Sequence, residues 1–219
     1  MSDIFQEVDE EVRRDKAAEF WKKYQNLIIG AAVLIVLATA GYRFYDNRRL
    51  AAEQAAGAAF EQALALDREG KGAEAEAAFA KIAADAPRGY RTLARLAAAA
   101  VEAKTDPKGA LSAYDALAAD ASIGALFQDT ARLRAALLRL DAGEADAAKP
   151  ALEALAGSGD VYRNTARLTL GVIALDAQDY DGAGKWLDLV AADPEAPDTE
   201  KRCAESLLGL VAANRPAAK

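Results

Sequence analysis

Three arginines stand at matching places in a recurring word: Leu93-Ala94-Arg95-Leu96, Thr130-Ala131-Arg132-Leu133 and Thr165-Ala166-Arg167-Leu168. A guanidinium offers five donors in a fixed fork that matches a carboxylate bidentately. Three of them in register form a ladder suited to the acidic groups of a bound partner. Carboxylates of the same chain, or solvent, would engage such a ladder equally well, and the residue types leave these readings open. Other reactive chemistry is scarce. The chain has no histidine and one cysteine, so the usual imidazole base, the His/Cys zinc patterns and an intramolecular disulfide are all excluded. Its 34 Asp and Glu are spread at the spacing of solvated helix surfaces. Neither GxxxxGK nor GxGxxG occurs, and a net charge of −7 argues against a nucleic-acid partner. Cys203, inside KRCAESLLGL, is expected to be a small buried apolar residue. No catalytic, metal-binding or cofactor-binding residues are therefore expected, and a non-enzymatic scaffold remains.

The elements that would position the arginines show themselves by repetition. Ala75/Phe79/Ile82, Ala110/Tyr114/Leu117, Ala148/Leu152/Leu155 and Ala183/Leu187/Val190 each read small, large four residues later, apolar three later. Three of these series close on AADAP, AADAS and AADPEAP. A small residue precedes each large one at a fixed distance: Ala63, Ala98, Ala136 and Gly171. Small side chains at both places let two antiparallel helices approach closely, and the bulky residue fills the gap to the next pair. Turn signals at 69–72, 105–107, 141–143 and 178–181 separate the helices, and no alternating strand pattern appears. The spacing predicts four helix pairs with a period in the range of helical solenoids. A further helix is expected over 198–213.

Ahead of the repeats, Tyr24 to Tyr42 is a run of nineteen residues without a charge, about 28 Å of helix and close to one hydrocarbon core. Eight of them are Leu, Ile or Val, which favour insertion by about 2.4 to 4.8 kcal/mol. Trp21 and Tyr24 flank one end; Tyr42, Phe44 and Tyr45 flank the other, where amphipathic rings prefer the headgroup region. Ala38-Thr39-Ala40 fits a small-x-small cleavage pattern, yet the 23 residues before the run hold seven acids and five bases, unlike an export signal. An uncleaved span is the expectation, with the five preceding Lys/Arg against three closely following favouring a cytoplasmic N-terminus. From Arg43 to Asp67 there is no proline and a single glycine, Gly57, so helix should continue from the span into the first repeat. In the head, Ile4, Phe5, Val8 and Val12 fall on one helical face, a candidate cytoplasmic docking element, or else a frayed tail.

Period, small-large spacing and the endings at Pro87 and Pro194 resemble tetratricopeptide repeats, departing from them in the absent tryptophan of the first helices and the absent closing proline after the second and third units. The order of acidic-basic head, single span and small repeat domain, together with the opening DIFQEVDEEVRRDKAAEFWKKYQNLIIG, is similar to the family of membrane-anchored tetratricopeptide proteins that are ancillary subunits of the bacterial Sec translocon. That resemblance implies an all-α chain: a cytoplasmic head over 1–23, a transmembrane helix over 24–45, a repeat domain of about four helix pairs plus a C-terminal helix over 46–213 and a tail over 214–219. It implies a single-pass protein of the bacterial inner membrane with the repeats in the periplasm. There it would be a non-enzymatic adaptor holding periplasmic chaperones or emerging clients near Sec translocon subunits. The alternative is a periplasmic scaffold for cell-envelope or division machinery, for which homo-oligomerisation through the repeats would be suitable. In tetratricopeptide repeats the first helices line the concave side. On this register Leu133, Leu137, Leu168, Val172 and Leu175, with Arg95, Arg132 and Arg167, are the candidate partner-binding residues, unless a neighbouring helix covers the leucines as core.

Overall fold

The computed structural model describes the backbone of residues 3–157, 159 and 161–214, and the side chains of these except residues 3–12, 15, 17 and 28. Among the described residues all regular structure is helical. The chain divides into two compact units, one ending at Ala55 and the other beginning at Ala56.

The described residues of the first unit belong to a single helix, α1, Asp3–Arg68. No proline occurs before Pro87, and the stretch from Leu50 to Leu66 is dense in alanine, the best helix former. The helix contains an 18-residue window of mean hydropathy 2.0, none of it buried, so it is long and apolar enough to cross a membrane. Leu27, Ile29 and every residue from Val33 to Leu37 are more than half exposed, an apolar surface far beyond what a water-facing helix carries. The rings of Phe20 and Tyr24 meet at a tilt of 45° with centroids 4.7 Å apart before this run, and after it Arg48 lies 4.7 Å over the Phe44 ring. The docking face expected of Ile4, Phe5, Val8 and Val12 lies on a helical backbone, but its side chains are outside those described. Because α1 continues without a break through Arg49 and Leu50, trypsin acting on the protein in mild detergent should cut after Arg48 and Arg49 far more slowly than it cuts a peptide of the same residues. Rapid cleavage there would show that this segment is not held in helix.

The second unit begins with the end of α1 and continues through α2 (Gly72–Asp85), α3 (Arg88–Glu102), α4 (Pro107–Ala119), α5 (Ala125–Asp141), α6 (Ala145–Leu155), α7 (Arg163–Asp176), α8 (Tyr180–Ala191) and α9 (Asp198–Asn214). Each helix from α2 onward packs on its successor, and α7 also meets α9. The cores follow the same nearest-neighbour rule. Ala63, Phe79 and Val101 join α1, α2 and α3; Ala99, Tyr114 and Ala135 join α3, α4 and α5. Leu133, Leu152 and Leu170 join α5, α6 and α7, and Leu187, Ala204 and Val211 join α8 and α9. Such a stack has no central core, so its stability is a sum of neighbouring interfaces.

All twelve residues of the small-large-apolar series are buried, none more than 6% exposed. The expected close approach is seen at Gly171: a Cβ built there would sit 2.8 Å from Cγ and Cδ2 of Leu187, the large residue of its own pair. The turns are equally local. Asp106 accepts the Gly109 N–H at 3.1 Å ahead of Pro107 at the start of α4, and Asp179 accepts the Gly182 N–H at 2.9 Å at the start of α8. Gly70 and Gly143 take positive φ just past α1 and α5, where Lys71 and Glu144 close back on the carbonyls of Leu66 and Arg139. Gln178 does the same after α7 at φ 59°, without glycine's freedom.

Candidate protein-binding face

The recurring arginines lie one per odd-numbered helix, on α3, α5 and α7, and the packing gives each of them partners within the chain. Arg95 donates from Nη1 to Oδ2 of Asp120 at 2.7 Å, across the end of α4. Arg167 donates from Nη1 to Oδ2 of Asp193 at 3.2 Å, just past α8, and from Nε to the Ala156 carbonyl at 3.0 Å, just past α6. Arg132 differs. The chain beyond α6 reads Ala156-Gly157-Ser158, with no aspartate where the other units have one. Arg132 instead pairs with Asp129 one turn earlier on its own helix and reaches the Ala118 carbonyl at 3.4 Å. The ladder is therefore spent on ends of even-numbered helices, where a cation satisfies orphan carbonyls and the negative pole of the helix dipole. Gln128 reinforces this by donating to the same Ala118 carbonyl at 3.0 Å.

The strongest of these links centres on Asp193, which sequence reasoning missed. Arg163 grips it with two bonds, Nε to Oδ2 at 2.7 Å and Nη2 to Oδ1 at 3.0 Å, and reaches Glu195 at 2.7 Å. The side chains of Arg163, Arg167 and Asp193 are 17, 12 and 9% exposed, so this is a partly desolvated network and not a solvated pair. The bonds from Arg163 and from the Glu195 N–H hold the Asp193 carboxyl well below the usual carboxylate range, and Asp193 and Glu195 push the Arg163 guanidinium up. At the equivalent place in the second unit, bonds from Ser122 and then Arg95 lower Asp120 to about 2. A signal was present in the sequence: both aspartates close the repeated AAD endings, at the same distance, within one residue, from their arginines.

The leucines expected on the partner side divide. Leu133 is 7% exposed and belongs to the core joining α5, α6 and α7, which leaves it no surface to offer. Leu137 packs half-buried against the same core, while Leu168 and Leu175 pack against the one closed by α9. Those three are covered because the next helix in the stack lies over them. Val172 is 39% exposed. Of the expected residues Val172 on α7 is therefore the exposed one among these apolar positions, and the odd-numbered helices also expose Leu93 on α3 and Leu126 and Arg134 on α5. Beside Leu126 lies an open depression of about 400 Å³, lined also by Ala125, Asp129, Ala154, Val161 and Tyr162. The Tyr162 hydroxyl is 2.7 Å from that of Thr130, which fixes the ring at its wall. Val161, 77% exposed, is the most exposed large apolar side chain of the repeats.

Cys203 corrects the expectation of a buried thiol. It is exposed, because α9 is covered along Ala204 and Val211 but not along Cys203. Among the described residues no three of His, Cys, Asp or Glu lie close enough to share a metal ion. The arrangement is chemically a set of apolar and polar contacts on a stiff helical stack, suited to binding a polypeptide.

Comparison with known proteins agrees with this geometry. A family described as the tetratricopeptide repeat-like domain matches residues 18–158, a stretch that takes in the exposed apolar part of α1 and the helices through α6. No curated protein and no solved structure matched the chain. The unit formed by α7 and α8 lies beyond the matched residues yet repeats their small-large-apolar burial. With the match extending over more than half of its residues, the chain belongs to the tetratricopeptide repeat-like domain family.

Proposed function

We propose that this protein is a non-enzymatic, membrane-anchored adaptor that joins the bacterial Sec translocon to periplasmic chaperones or emerging client proteins. The apolar part of α1 is its single membrane span, the N-terminus lies in the cytoplasm and the repeats lie in the periplasm. The observation that carries this reading is the exposed apolar window of α1, none of it buried, within a family match that continues into the repeats. Tetratricopeptide-like repeats are protein-interaction modules, and their partners are set by sites grafted on the fold. The translocon assignment rests on the order of head, span and repeats in the sequence.

An alkaline phosphatase fusion after Lys219 should be active, whereas a fusion within the head should not. Purification in mild detergent should bring translocon subunits with the protein. Inactivity of the first fusion would place the repeats in the cytoplasm, and recovery of division proteins in place of translocon subunits would favour an envelope scaffold.

A further inference from the structure

We propose that the cleft beside Arg88 and Arg91 of α3 receives a carboxylate from an acidic segment of a partner protein, in the place that Glu195 fills for the fourth unit of the chain itself. This rests on reading the repeats as a protein-binding module and names the chemistry of one partner contact.

The second and fourth units share a turn. Asp120 and Asp193 each follow an even-numbered helix, and each accepts the N–H of the residue two later, Ser122 at 3.0 Å and Glu195 at 2.9 Å. Each also takes a guanidinium of the recurring word, Arg95 at 2.7 Å and Arg167 at 3.2 Å. Four residues before that arginine a second one stands in both units, Arg91 and Arg163. There the units part. Arg163 holds Asp193 through two bonds and Glu195 through a third at 2.7 Å. Arg91 is exposed and has no hydrogen bond or ion pair among the described residues. The residue in the place of Glu195 is Ser122, which has no carboxylate to offer.

Beside Arg91 lies an open cleft of about 200 Å³ between α3 and the turn after α4. Its described lining holds three guanidiniums, those of Arg88, Arg91 and Arg95, and no carboxylate. Arg95 is neutralised by Asp120. Arg88 donates to the Ser122 carbonyl, a partner that satisfies a donor and leaves the charge uncompensated. Two positive charges therefore face one cleft in a chain whose net charge is −7, and both belong to the side chain whose fork matches a carboxylate. Glu195 is 77% exposed while it bonds Arg163, so such a place is reached from solvent without opening the stack.

The fourth unit thus states the chemistry of the occupant, and arginine clusters recognise acidic motifs in this manner. A second copy would bring its own net charge of −7 against the first, and an anionic membrane surface repels the chain likewise. A short acidic segment of another protein brings its negative charge to the cleft alone.

The probe is a short fluorescent peptide rich in glutamate, with serine and glycine at its other positions, titrated at low ionic strength with the full-length protein in mild non-ionic detergent. It should bind saturably, its glutamine counterpart should not, and added salt should weaken the complex. Arg91→Gln should weaken binding about five-fold or more without lowering the melting temperature, since the Arg91 side chain holds no described residue in place. Ser122→Glu should abolish binding by supplying within the chain the carboxylate that Glu195 supplies to Arg163, and should melt no lower than the parent. Arg202→Gln, at an exposed arginine of α9, should leave binding unchanged. No saturable binding to the parent, equal binding to Arg91→Gln, or an equal loss in Arg202→Gln would overturn the inference. So would short-chain phosphatidylglycerol that displaces the peptide at a lower concentration than unlabelled peptide does, which would give the cleft to a lipid headgroup. A dimer seen by sedimentation that Arg91→Gln abolishes would overturn it too, by giving the cleft to a second copy. Translocon subunits that still co-purify with a parent unable to bind the peptide would remove this site while leaving the adaptor reading in place.

Discussion

Replacement of Gly171 by leucine is expected to lower the melting temperature of the repeats and to strip hydrogen-exchange protection first from α7, α8 and α9. The cause is the 2.8 Å separation between a Cβ at this position and both Cγ and Cδ2 of Leu187. The branch point of a fully buried leucine is not a flexible end that swings aside, so the helices must separate. Overpacking of this kind costs about 1 to 3 kcal/mol, and each kcal/mol shifts the midpoint by roughly 2–4 °C in a domain of this size. Alanine at 171 should fall between glycine and leucine, since even one methyl meets Leu187. The sign reverses when Leu187 is truncated. In a Leu187→Ala background the contact is gone and the intrinsic helix preference for alanine, about 1 kcal/mol over glycine, should make Gly171→Ala stabilising. Thermal melts of the four proteins in this double-mutant cycle read the coupling directly. Additive effects would mean that α7 and α8 do not meet at this point.

The second large effect is electrostatic. Asp193→Asn keeps the shape of the side chain but leaves the guanidiniums of Arg163 and Arg167, 17 and 12% exposed, without their shared carboxylate. Truncating one side of a partly desolvated pair costs more than the pair contributes, because the remaining charge loses its compensation. The Asp193→Asn protein should therefore melt well below the parent at neutral pH, and further below it than Asp120→Asn does. The pH dependence follows from the direction of the shift. A carboxyl held below its unfolded value contributes stability that is complete above the unfolded pKa, about 3.9, and is lost as pH falls through the folded value. Asp193 and Asp120 are both of this kind, so the parent should lose stability from about pH 4 downward, through about 2 for Asp120. The gap between parent and Asp193→Asn should be widest above about pH 5 and close on acidification. A gap that stays constant down to about pH 2 would assign the loss to packing and not to charge. Asp146→Asn is the control: its partner Lys149 is one turn away and the Asp146 side chain is 96% exposed, so its melt should match the parent.

How much of this was legible beforehand depended on whether a feature is local. The helix pairs, their turns and the twelve buried positions of the small-large-apolar series follow from helical periodicity repeated four times, and periodicity is a property of residues three and four apart. The apolar stretch from Tyr24 to Tyr42 was equally plain, because length and the absence of charge are read residue by residue. Gly171 as a point of close approach was visible from its fixed distance to Leu187.

The fate of the arginines was decided only by the tertiary structure. Their partners lie about one helix pair away in sequence, and a helix rotates by about 100° per residue, so which carboxylate a guanidinium meets depends on how neighbouring pairs stack. That stacking turned Arg95 and Arg167 to the aspartates of the AAD endings and, for want of one in the third unit, turned Arg132 back on its own helix. The same cause separates Leu133, sealed in the core, from Val172, left at the surface, although both stand on odd-numbered helices at candidate partner positions. It also decides Cys203. Its residue type suits a buried helix, but burial requires a second helix alongside, and only the assembled stack reveals that none of the described helices covers it.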